Sequence, residues 1–314
     1  MPNKTLCPSC SNEKILDFAE IDTDEIVSLY KKNNISTEEL FKGIPSVSLL
    51  HCSNCDLKFF KPSVAGDENF YNQLQEKDWY FLHSDKTEFT YSNEFVSENN
   101  KVLDVGSGRG VWAKYVSAGK GVFYQGIEFS SKSIELAQKD KVNVIKESVE
   151  EHAQKFAGYY DVVVTFQVLE HVEEIRKFIA SCVTCLRPGG KLIIAVPNNE
   201  GFLKKMVNNW LNMPPHHINH WNERSLEKLA DTFKLRTIAV HKEKVTTVHK
   251  LLFYNILVYS GLSSVLGYKR TLVDNSLKFK ILNKISYWLA KLIMPFSKKH
   301  LNSDGHTIIV VLEK

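Results

Sequence analysis

The sequence predicts an α/β fold in which a doubly wound, mostly parallel sheet carries helices on both faces. One observation is a short apolar strand, Lys101–Val105, that runs directly into Gly106, Gly108 and Gly110 and then into a helical pattern. The other is the alternation of apolar runs with helical stripes through the residues that follow. Strands that alternate with helices pair in parallel through right-handed crossovers, and ligands bind at their carboxyl ends.

The same patterns predict the other elements of this domain. A helix at Ser131–Lys139 has Ser130 or Ser131 as its N-cap. An apolar stripe predicts a helix over 172–186, in which Cys182 and Cys185 are a pair of packed thiols rather than metal ligands. Further strands are expected at 122–127, 142–146, 160–166, 191–196, 235–241 and 306–313, and a further helix at 225–233.

The glycine-rich turn predicts a ligand site when it is taken together with two carboxylates. Glycine tolerates positive φ and lets the backbone approach a ligand, and the helix behind the turn aims its N–H groups at that ligand. Such a turn also occurs in α/β proteins that bind no ligand there, so the glycines alone do not establish a site. Glu128 is the stronger indication of a ligand site. A carboxylate at the end of the second strand can accept both hydroxyls of a ribose. With Asp104 at the end of the first strand, the pattern favours an adenosine-type ligand.

Four stretches, in this order and spacing, resemble motifs of the class I S-adenosylmethionine-dependent methyltransferases. They are 104–110 (DVGSGRG), 126–130 (GIEFS), 161–172 (DVVVTFQVLEHV) and 186–190 (LRPGG). A dinucleotide dehydrogenase is not expected to carry the last two in this form. The resemblance implies a Rossmann-like methyltransferase domain whose last strand inserts antiparallel. It also implies S-adenosylmethionine as the cofactor.

The resemblance also implies roles for individual residues at the cofactor site. Asp104 and the three glycines would bind the methionine end, and Glu128 would bind the ribose. Ser148 and Val149, in a turn that resembles the third motif, would meet the adenine together with Phe129. Gln167 ends the fourth strand at the same edge. The aromatic segment before the first motif offers Tyr71 and Tyr80 as contacts to the methionine end or the acceptor.

Histidines supply the candidate catalytic groups. His216 and His217 lie in the stretch MPPHHINHW, beyond the fifth strand, where related enzymes form the acceptor pocket. A histidine titrates near neutral pH and suits removal of a hydroxyl proton. His171 is a third candidate, although with Glu170 it could instead cap the following helix. The histidines of the 213–221 stretch could also be structural, or could bind a metal, but no carboxylate lies among them in the sequence.

Ubiquinone-type O-methyltransferases carry a stretch similar to 167–171 and use its acidic positions and histidine for a divalent ion. This chain has Gln167 where they have an acidic residue, which weighs against a metal there.

The N-terminal segment predicts a structural zinc site. Cys7 and Cys10 form one CxxC pair and Cys52 and Cys55 another, which together would complete a four-thiolate tetrahedron. The 41 residues between the pairs exceed the usual ribbon spacing, so a helical insertion is expected at 21–41. The paired cysteines and the FFKP sequence that follows resemble the N-terminal extension of bacterial methyltransferases acting on sugars or cell-surface polysaccharide precursors.

The domain organisation follows from these features. We expect a zinc-ribbon-like module at 1–62, an aromatic lid or connector at 63–98, the methyltransferase domain at 99–243 and 304–314, and an insertion at 244–303. The insertion is apolar. It is also basic, because the stretch from Lys250 to His300 contains nine lysine and arginine residues but one acidic residue, Asp274. It is either a helical cap on the domain or a peripheral membrane surface.

Composition points to a soluble protein, with 43% hydrophobic and 24% charged residues. No secretory signal and no apolar run of membrane-spanning length is apparent, so a cytoplasmic location is expected, at most peripheral to the membrane. The expected activity is methyl transfer to a small polar acceptor such as a sugar, either free or carried on a nucleotide or a lipid. The alternatives are a quinone or lipid acceptor, or a nucleic-acid-binding protein that uses the zinc ribbon and the basic segment, although no nucleic-acid partner is expected.

Overall fold

The computed structural model describes residues 5–77, 86–116, 121–297 and 301–314. The strands are β1 (Ile15–Asp22), β2 (Ser46–Cys52), β3 (Lys58–Lys61), β4 (Lys101–Val105), β5 (Phe123–Glu128), β6 (Val144–Lys146), β7 (Tyr160–Phe166), β8 (Leu186–Pro197), β9 (Asn219–His220), β10 (Arg236–Lys244) and β11 (Asp304–Glu313). The α-helices are α1 (Thr23–Lys32), α2 (Glu68–Gln75), α3 (Thr87–Asn93), α4 (Ala113–Val116), α5 (Ser131–Lys139), α6 (Val149–Lys155), α7 (Ile175–Cys185), α8 (Glu223–Thr232), α9 (Lys250–Val265) and α10 (Leu277–Ile293).

A seven-stranded sheet confirms the predicted α/β fold. Its strand order is β10-β11-β8-β7-β4-β5-β6. The strands from β8 to β6 pair in parallel. The last strand, β11, lies antiparallel between β8 and β10, as expected for a class I methyltransferase domain. The carboxyl ends of β4, β5, β7 and β8 therefore share one edge of the sheet.

Apolar side chains cover both faces of this sheet. On one face Leu103 and Val163 pack with residues of α6, α7 and α8. On the other face Val102 and Val164 pack with residues of α3 and α4 and with the fully buried Trp112, which directly precedes α4. Alternate residues of one strand point to opposite faces, so the continuous apolar runs of β4 and β7 reflect burial on both sides. Cys182 and Cys185 are buried free thiols in this packing, as predicted.

The N-terminal segment forms a second, four-stranded sheet with the order β1-β2-β3-β9. The helix expected at 21–41 is wrong in extent, because only Thr23–Lys32 is helical and the residues just before it belong to β1. The alternation in β1 and β2 is weak, and the strands become recognisable only through their pairing with each other. The fourth strand, Asn219–His220, comes from the histidine-bearing stretch, so this sheet is joined directly to the candidate acceptor side.

The insertion between β10 and β11 forms the two helices α9 and α10, which pack against each other. Phe253 and Ile256 of α9 bury against Phe202 and Leu203 of the main domain. Two hydrogen bonds join Asn208 and Asp274, in opposite directions, and tie the insertion to the segment that leads into the histidine stretch. Among the helices in the described part of the chain, none has the length and apolarity needed to cross a membrane.

Candidate active site

The glycine-rich loop lies against the segment that follows β7. Gly106 has a φ of +72°, and a Cβ placed on it would come within 2.4 Å of the Val168 Cγ2 atom. The N–H groups of Gly106 and Ser107 donate to the Ile127 carbonyl, which fixes the start of the loop against the end of β5. The loop therefore needs glycine both for its backbone conformation and for its contact with Val168.

Glu128 ends β5 beneath this loop, as predicted. Its carboxylate accepts hydrogen bonds from the backbone N–H groups of Gly108, Phe129 and Ser130 at 2.7 to 2.9 Å. A carboxylate has about four lone-pair positions, and three are occupied here. Holding both hydroxyls of a ribose would therefore require Glu128 to release at least one backbone N–H.

Asp104 is buried at the end of β4, behind the loop. Its Oδ2 atom accepts a hydrogen bond of 2.7 Å from the Tyr124 hydroxyl, whereas Oδ1 has no partner among the described residues. Burial raises the pKa of Asp104 to about 7, although the Tyr124 hydroxyl acts in the opposite direction. An unpartnered buried carboxylate oxygen suits a cationic or hydrogen-bond-donating ligand group, such as the amino group of a methionine moiety.

The residues expected at the adenine lie at the neighbouring strand ends. Phe129 is 67% exposed directly after β5 and is open to a stacking partner. Ser148 is the N-cap of α6, and its side chain exchanges hydrogen bonds with Glu151 in a capping box. Val149 is buried in the core. A ligand at this edge would thus meet the backbone of the 147–149 turn rather than its side chains.

The three candidate histidines form one cluster. The ring centroids of His171 and His216 are 4.7 Å apart, and those of His171 and His217 are 5.0 Å apart. The rings of His216 and His217 stack at 4.5 Å. Each of the three offers a ring nitrogen within 4.8 Å of the other two, so the same set could also hold a metal ion.

Hydrogen bonds fix the tautomer of each ring. The Nδ1 atoms of His171 and His216 lie against the carbonyl oxygens of His216 and Leu211, respectively. A carbonyl oxygen can only accept, so these Nδ1 atoms carry the hydrogen and the lone pair of each neutral ring lies on Nε2. His217 Nδ1 makes the equivalent bond to Asn212 Oδ1 at 2.9 Å.

A chain of amides orients this last partner. Asn199 Nδ2 donates to the Pro197 carbonyl, and Asn199 Oδ1 accepts from Asn212 Nδ2 at 2.7 Å. This leaves Asn212 Oδ1 facing His217. Neither asparagine was identified from the sequence, because their contribution depends on the end of β8 meeting a loop that lies further along the chain.

Burial keeps these imidazoles uncharged. It lowers the pKa of His171 to about 4 and that of His216 to about 3, and it also lowers the pKa of His217. Burial disfavours the protonated ring, and the neighbouring rings add to this effect for His216 and His217. All three are therefore neutral, and competent to accept a proton, at pH 7.

The fold brings a carboxylate to the histidines, although none lies within the 213–221 stretch of the sequence. The Glu170 Oε1 atom is 3.8 Å from His171 Nε2 and 3.9 Å from His217 Nε2. Glu170 is 1% exposed, and neither carboxyl oxygen has a hydrogen-bond partner in the described part of the chain. Burial raises its pKa to about 8. The sequence separation hid the contact between Glu170 and His217, which depends on the 213–221 loop folding back over the end of β7.

Gln167 lies in a polar network next to this cluster. Its backbone has a φ of +56°, and its side-chain amide approaches Glu88 Oε1 at 3.3 Å and Thr307 Oγ1 at 3.4 Å. Burial raises the pKa of Glu88, which is on α3. Glu88 was not predicted as a site residue, and no local motif marks it. With Asp104 and Glu170, it is the third buried carboxyl group at this edge of the sheet.

The two candidate tyrosines have different outcomes. Tyr71, on α2, packs edge-on against His171 with a centroid distance of 5.8 Å and lies 6.2 Å from His216. It thus borders the histidine cluster. Tyr80 is outside the described residues.

The four N-terminal cysteines converge on one point. Cys7 Sγ lies 3.5 Å from Cys55 Sγ, and Cys10 Sγ lies 3.6 Å from Cys52 Sγ. All four sulfurs lie within 4.8 Å of one another. Zinc–sulfur bonds of about 2.3 Å imply edges of about 3.8 Å in a tetrahedron, so this donor set fits zinc closely.

The fold and this site define a class I S-adenosylmethionine-dependent methyltransferase domain. Residues 83–240, about half of the chain, match a family model described as a methyltransferase domain, and the chain belongs to that family.

Individual relatives agree with this assignment. A ubiquinone biosynthesis O-methyltransferase from Escherichia fergusonii is 36% identical over 107 residues, which cover 32% of this chain and 44% of the relative. A SAM-dependent methyltransferase from Archaeoglobus fulgidus has a TM-score of 0.51 at 17% identity, over 76% of this chain and 100% of that one. A possible histamine N-methyltransferase from Thermotoga maritima has a TM-score of 0.50 at 15% identity, over 79% and 97%. The two structural likenesses concern the fold alone.

The contact between Gly106 and Val168 yields a direct test of the cofactor loop. The Gly106→Ala substitution should weaken binding of S-adenosylhomocysteine by at least about tenfold, since a contact of 2.4 Å and a positive φ would both displace the loop. Isothermal titration calorimetry measures this. Gly43→Ala is the matched control, because Gly43 also has a positive φ but has no atom within 4 Å of an added Cβ. Equal affinity of wild type and Gly106→Ala would contradict this assignment of the loop, provided that circular dichroism shows both variants folded.

Proposed function

We propose that this protein transfers the methyl group of S-adenosylmethionine to a hydroxyl group of a small polar acceptor, such as a sugar or a cell-surface polysaccharide precursor. The observation that carries the proposal is the cluster of neutral histidines beside Glu170. Glu170 and His171 follow closely after Val168, which packs against Gly106 of the donor loop. Donor loop and candidate bases thus occupy the same edge of the sheet. The polar groups around them, which include Glu88 and Gln167, suit an acceptor rich in hydroxyls.

The chemistry assigned to these residues is an in-line displacement. The acceptor oxygen attacks the sulfonium methyl carbon, the new O–C bond forms as the C–S bond breaks, and S-adenosylhomocysteine leaves as a neutral thioether. The hydroxyl proton passes to the Nε2 atom of His171, His216 or His217. Because the donor is already activated, alignment of the two substrates supplies much of the acceleration, and proton removal adds to it.

A quinone or lipid acceptor is the second candidate. The observation in its favour is the 36% identity to a ubiquinone biosynthesis O-methyltransferase over 107 residues, although that match covers 44% of the relative. The nucleic-acid alternative has less support. Phe59 and Phe60, which would have to stack on bases, are buried, and the Lys58 amine is 3.5 Å from Glu200.

We further propose that Cys7, Cys10, Cys52 and Cys55 bind a structural zinc ion. Four thiolates leave no open coordination position, so the ion would stabilise the N-terminal sheet and take no part in the chemistry. Zinc would also ionise thiols that burial alone tends to keep protonated, as at Cys52, where burial raises the pKa to about 11. Reduced thiols accord with a cytoplasmic location.

Transfer of a labelled methyl group tests the proposed acceptor. Purified protein is incubated with labelled S-adenosylmethionine and an extract of its source cells, and the products are separated into aqueous and lipid phases. Label on a small molecule in the aqueous phase is the expected result. Label in the lipid phase would favour the quinone or lipid acceptor. Label on nucleic acid, or none despite cofactor binding, would contradict the proposal.

Replacing each clustered histidine by asparagine tests the base. Asparagine retains a donor near the Nδ1 position but removes Nε2, so the change at the true base should lower kcat by about 10² to 10⁴ with cofactor affinity unchanged. His241→Asn is the control, because His241 stacks on Tyr91 outside the cluster. Lowered histidine pKa values predict that kcat at saturating cofactor stays flat between pH 7 and 5, because the base loses its proton-free form only near pH 4 or below. The ratio kcat/KM would in addition report Asp104 of the free enzyme, whose pKa of about 7 lies near this range. An acid limb in kcat near pH 6.5, or three fully active variants, would exclude a base in this cluster.

Metal analysis tests the zinc proposal. Inductively coupled plasma mass spectrometry should find about one zinc ion per chain, and Cys55→Ala should lose it and unfold at a lower temperature, because the N-terminal sheet loses its cross-link. Cys182→Ala removes an equally buried thiol from α7 and should retain the metal. Zinc retained in Cys55→Ala would show that the metal binds elsewhere.

A further inference from the structure

Helix α10 has an unusual surface with two apolar sides. Phe279, Leu282, Ser286 and Ala290 are buried against the rest of the protein. A second apolar stripe runs along the exposed side at intervals of three or four residues. It consists of Leu277, Ile281, Ile285, Trp288, Leu292 and, just beyond the helix end, Phe296. Spacing of this kind places side chains on one face of a helix.

The exposure of this stripe is large for a folded protein. Leu277 is 71% exposed, Leu292 is 68% exposed and Phe296 is 92% exposed. Single exposed apolar residues are ordinary, but a continuous row of them marks a contact surface. The buried face already accounts for the packing of α10 on the protein, so folding does not explain the second stripe.

Lysines border the stripe along one side. Lys280, Lys284 and Lys291 follow one another at helical intervals, and all three are exposed. The Lys291 amine lies 4.8 Å from the centroid of the Tyr287 ring and 5.1 Å from that of Trp288, so one of these lysines contacts two aromatic rings at the boundary. The sequence has no acidic residue between Asp274 and Asp304. The surface therefore combines an apolar row with positive charge that no local carboxylate offsets.

We propose that this face of α10 binds the surface of an anionic phospholipid bilayer, with the helix lying in the plane of the interface. Apolar side chains would enter the boundary of the acyl chains, Trp288 and Tyr287 would lie at headgroup level, and the lysines would meet the lipid phosphates. The charge selects this occupant. In a second copy of the chain packed face to face on this stripe, the same lysines would face each other and repel.

The position of α10 gives this binding a consequence for the rest of the protein. Asn208 and Asp274 tie the start of the α10 segment to the chain that enters the histidine stretch. Binding at α10 would thus hold the acceptor side of the protein near the membrane surface. The membrane proposal itself requires neither S-adenosylmethionine nor an acceptor, so it stands apart from the proposed function.

Vesicle sedimentation with the full chain tests the proposal. The protein should bind vesicles of phosphatidylcholine and phosphatidylglycerol, bind pure phosphatidylcholine much less, and dissociate as salt is added. The double variant Lys284→Glu/Lys291→Glu should lower the partition coefficient at least about tenfold, since each lysine near an anionic surface contributes about fivefold. Trp288→Ser/Leu292→Ser should lower it similarly by removing apolar contact. These residues are exposed, so both variants are expected to fold.

The matched control is Lys177→Glu/Lys228→Glu, which changes the net charge equally at exposed positions of α7 and α8. This control should retain most of the binding. Equal loss in the control would show diffuse attraction rather than a site on α10, and absence of vesicle binding would overturn the proposal. Sedimentation velocity supplies the remaining check. If the protein does not bind vesicles but forms a dimer, and Trp288→Ser/Leu292→Ser abolishes that dimer, the face of α10 binds a second copy of the chain instead.

Discussion

The close contact between Gly106 and Val168 is the constraint on which the rest of the site depends. Because β4 and β7 are neighbours in the sheet, the loop after β4 and the segment after β7 must share the space above the same edge. Only a residue without a Cβ allows them to approach this closely. Glu170 and His171 follow Val168 within three residues, so the contact of its side chain with Gly106 limits the distance between the donor loop and the candidate base.

The N-terminal sheet positions the opposite side of the site. The hydroxyl of Tyr30, on α1, donates to the carbonyls of Trp210 and Met213, at the start of the histidine stretch. Strand β3 then pairs with Asn219–His220 at its end. Both ends of the loop that carries His216 and His217 are therefore held by the segment that also carries the cysteine cluster. Under the proposal that this cluster binds zinc, these contacts would connect a structural ion to the position of the candidate bases.

Local patterns made the large sheet and its cofactor edge predictable. Apolar strands and the motif glycines identify β4, β5, β7 and β8 directly, and Glu128 was expected where it lies. The acceptor side was harder to predict from the sequence, because it depends on contacts between segments that are distant along the chain. Glu170 meets His217 across 47 residues, Asn199 orients Asn212 by a side-chain bond, and Glu88 approaches Gln167 from α3. Nothing in the spacing of these residues signals such contacts.

Burial of the histidines has a consistent electrostatic role under the proposed chemistry. The cofactor brings one positive charge, at its sulfonium, into a site with little water. A protonated imidazole nearby would add a second, and like charges repel strongly where solvent screening is weak. During methyl transfer the sulfonium charge disappears while the base gains a proton, so the site carries one positive charge throughout. A positive charge beside Glu170 and Glu88 would favour ionisation of these carboxyl groups, whose pKa values burial otherwise raises, and the ionised groups would stabilise that charge. Low histidine pKa values thus favour binding of the cofactor and leave the base free until the charge on sulfur is lost.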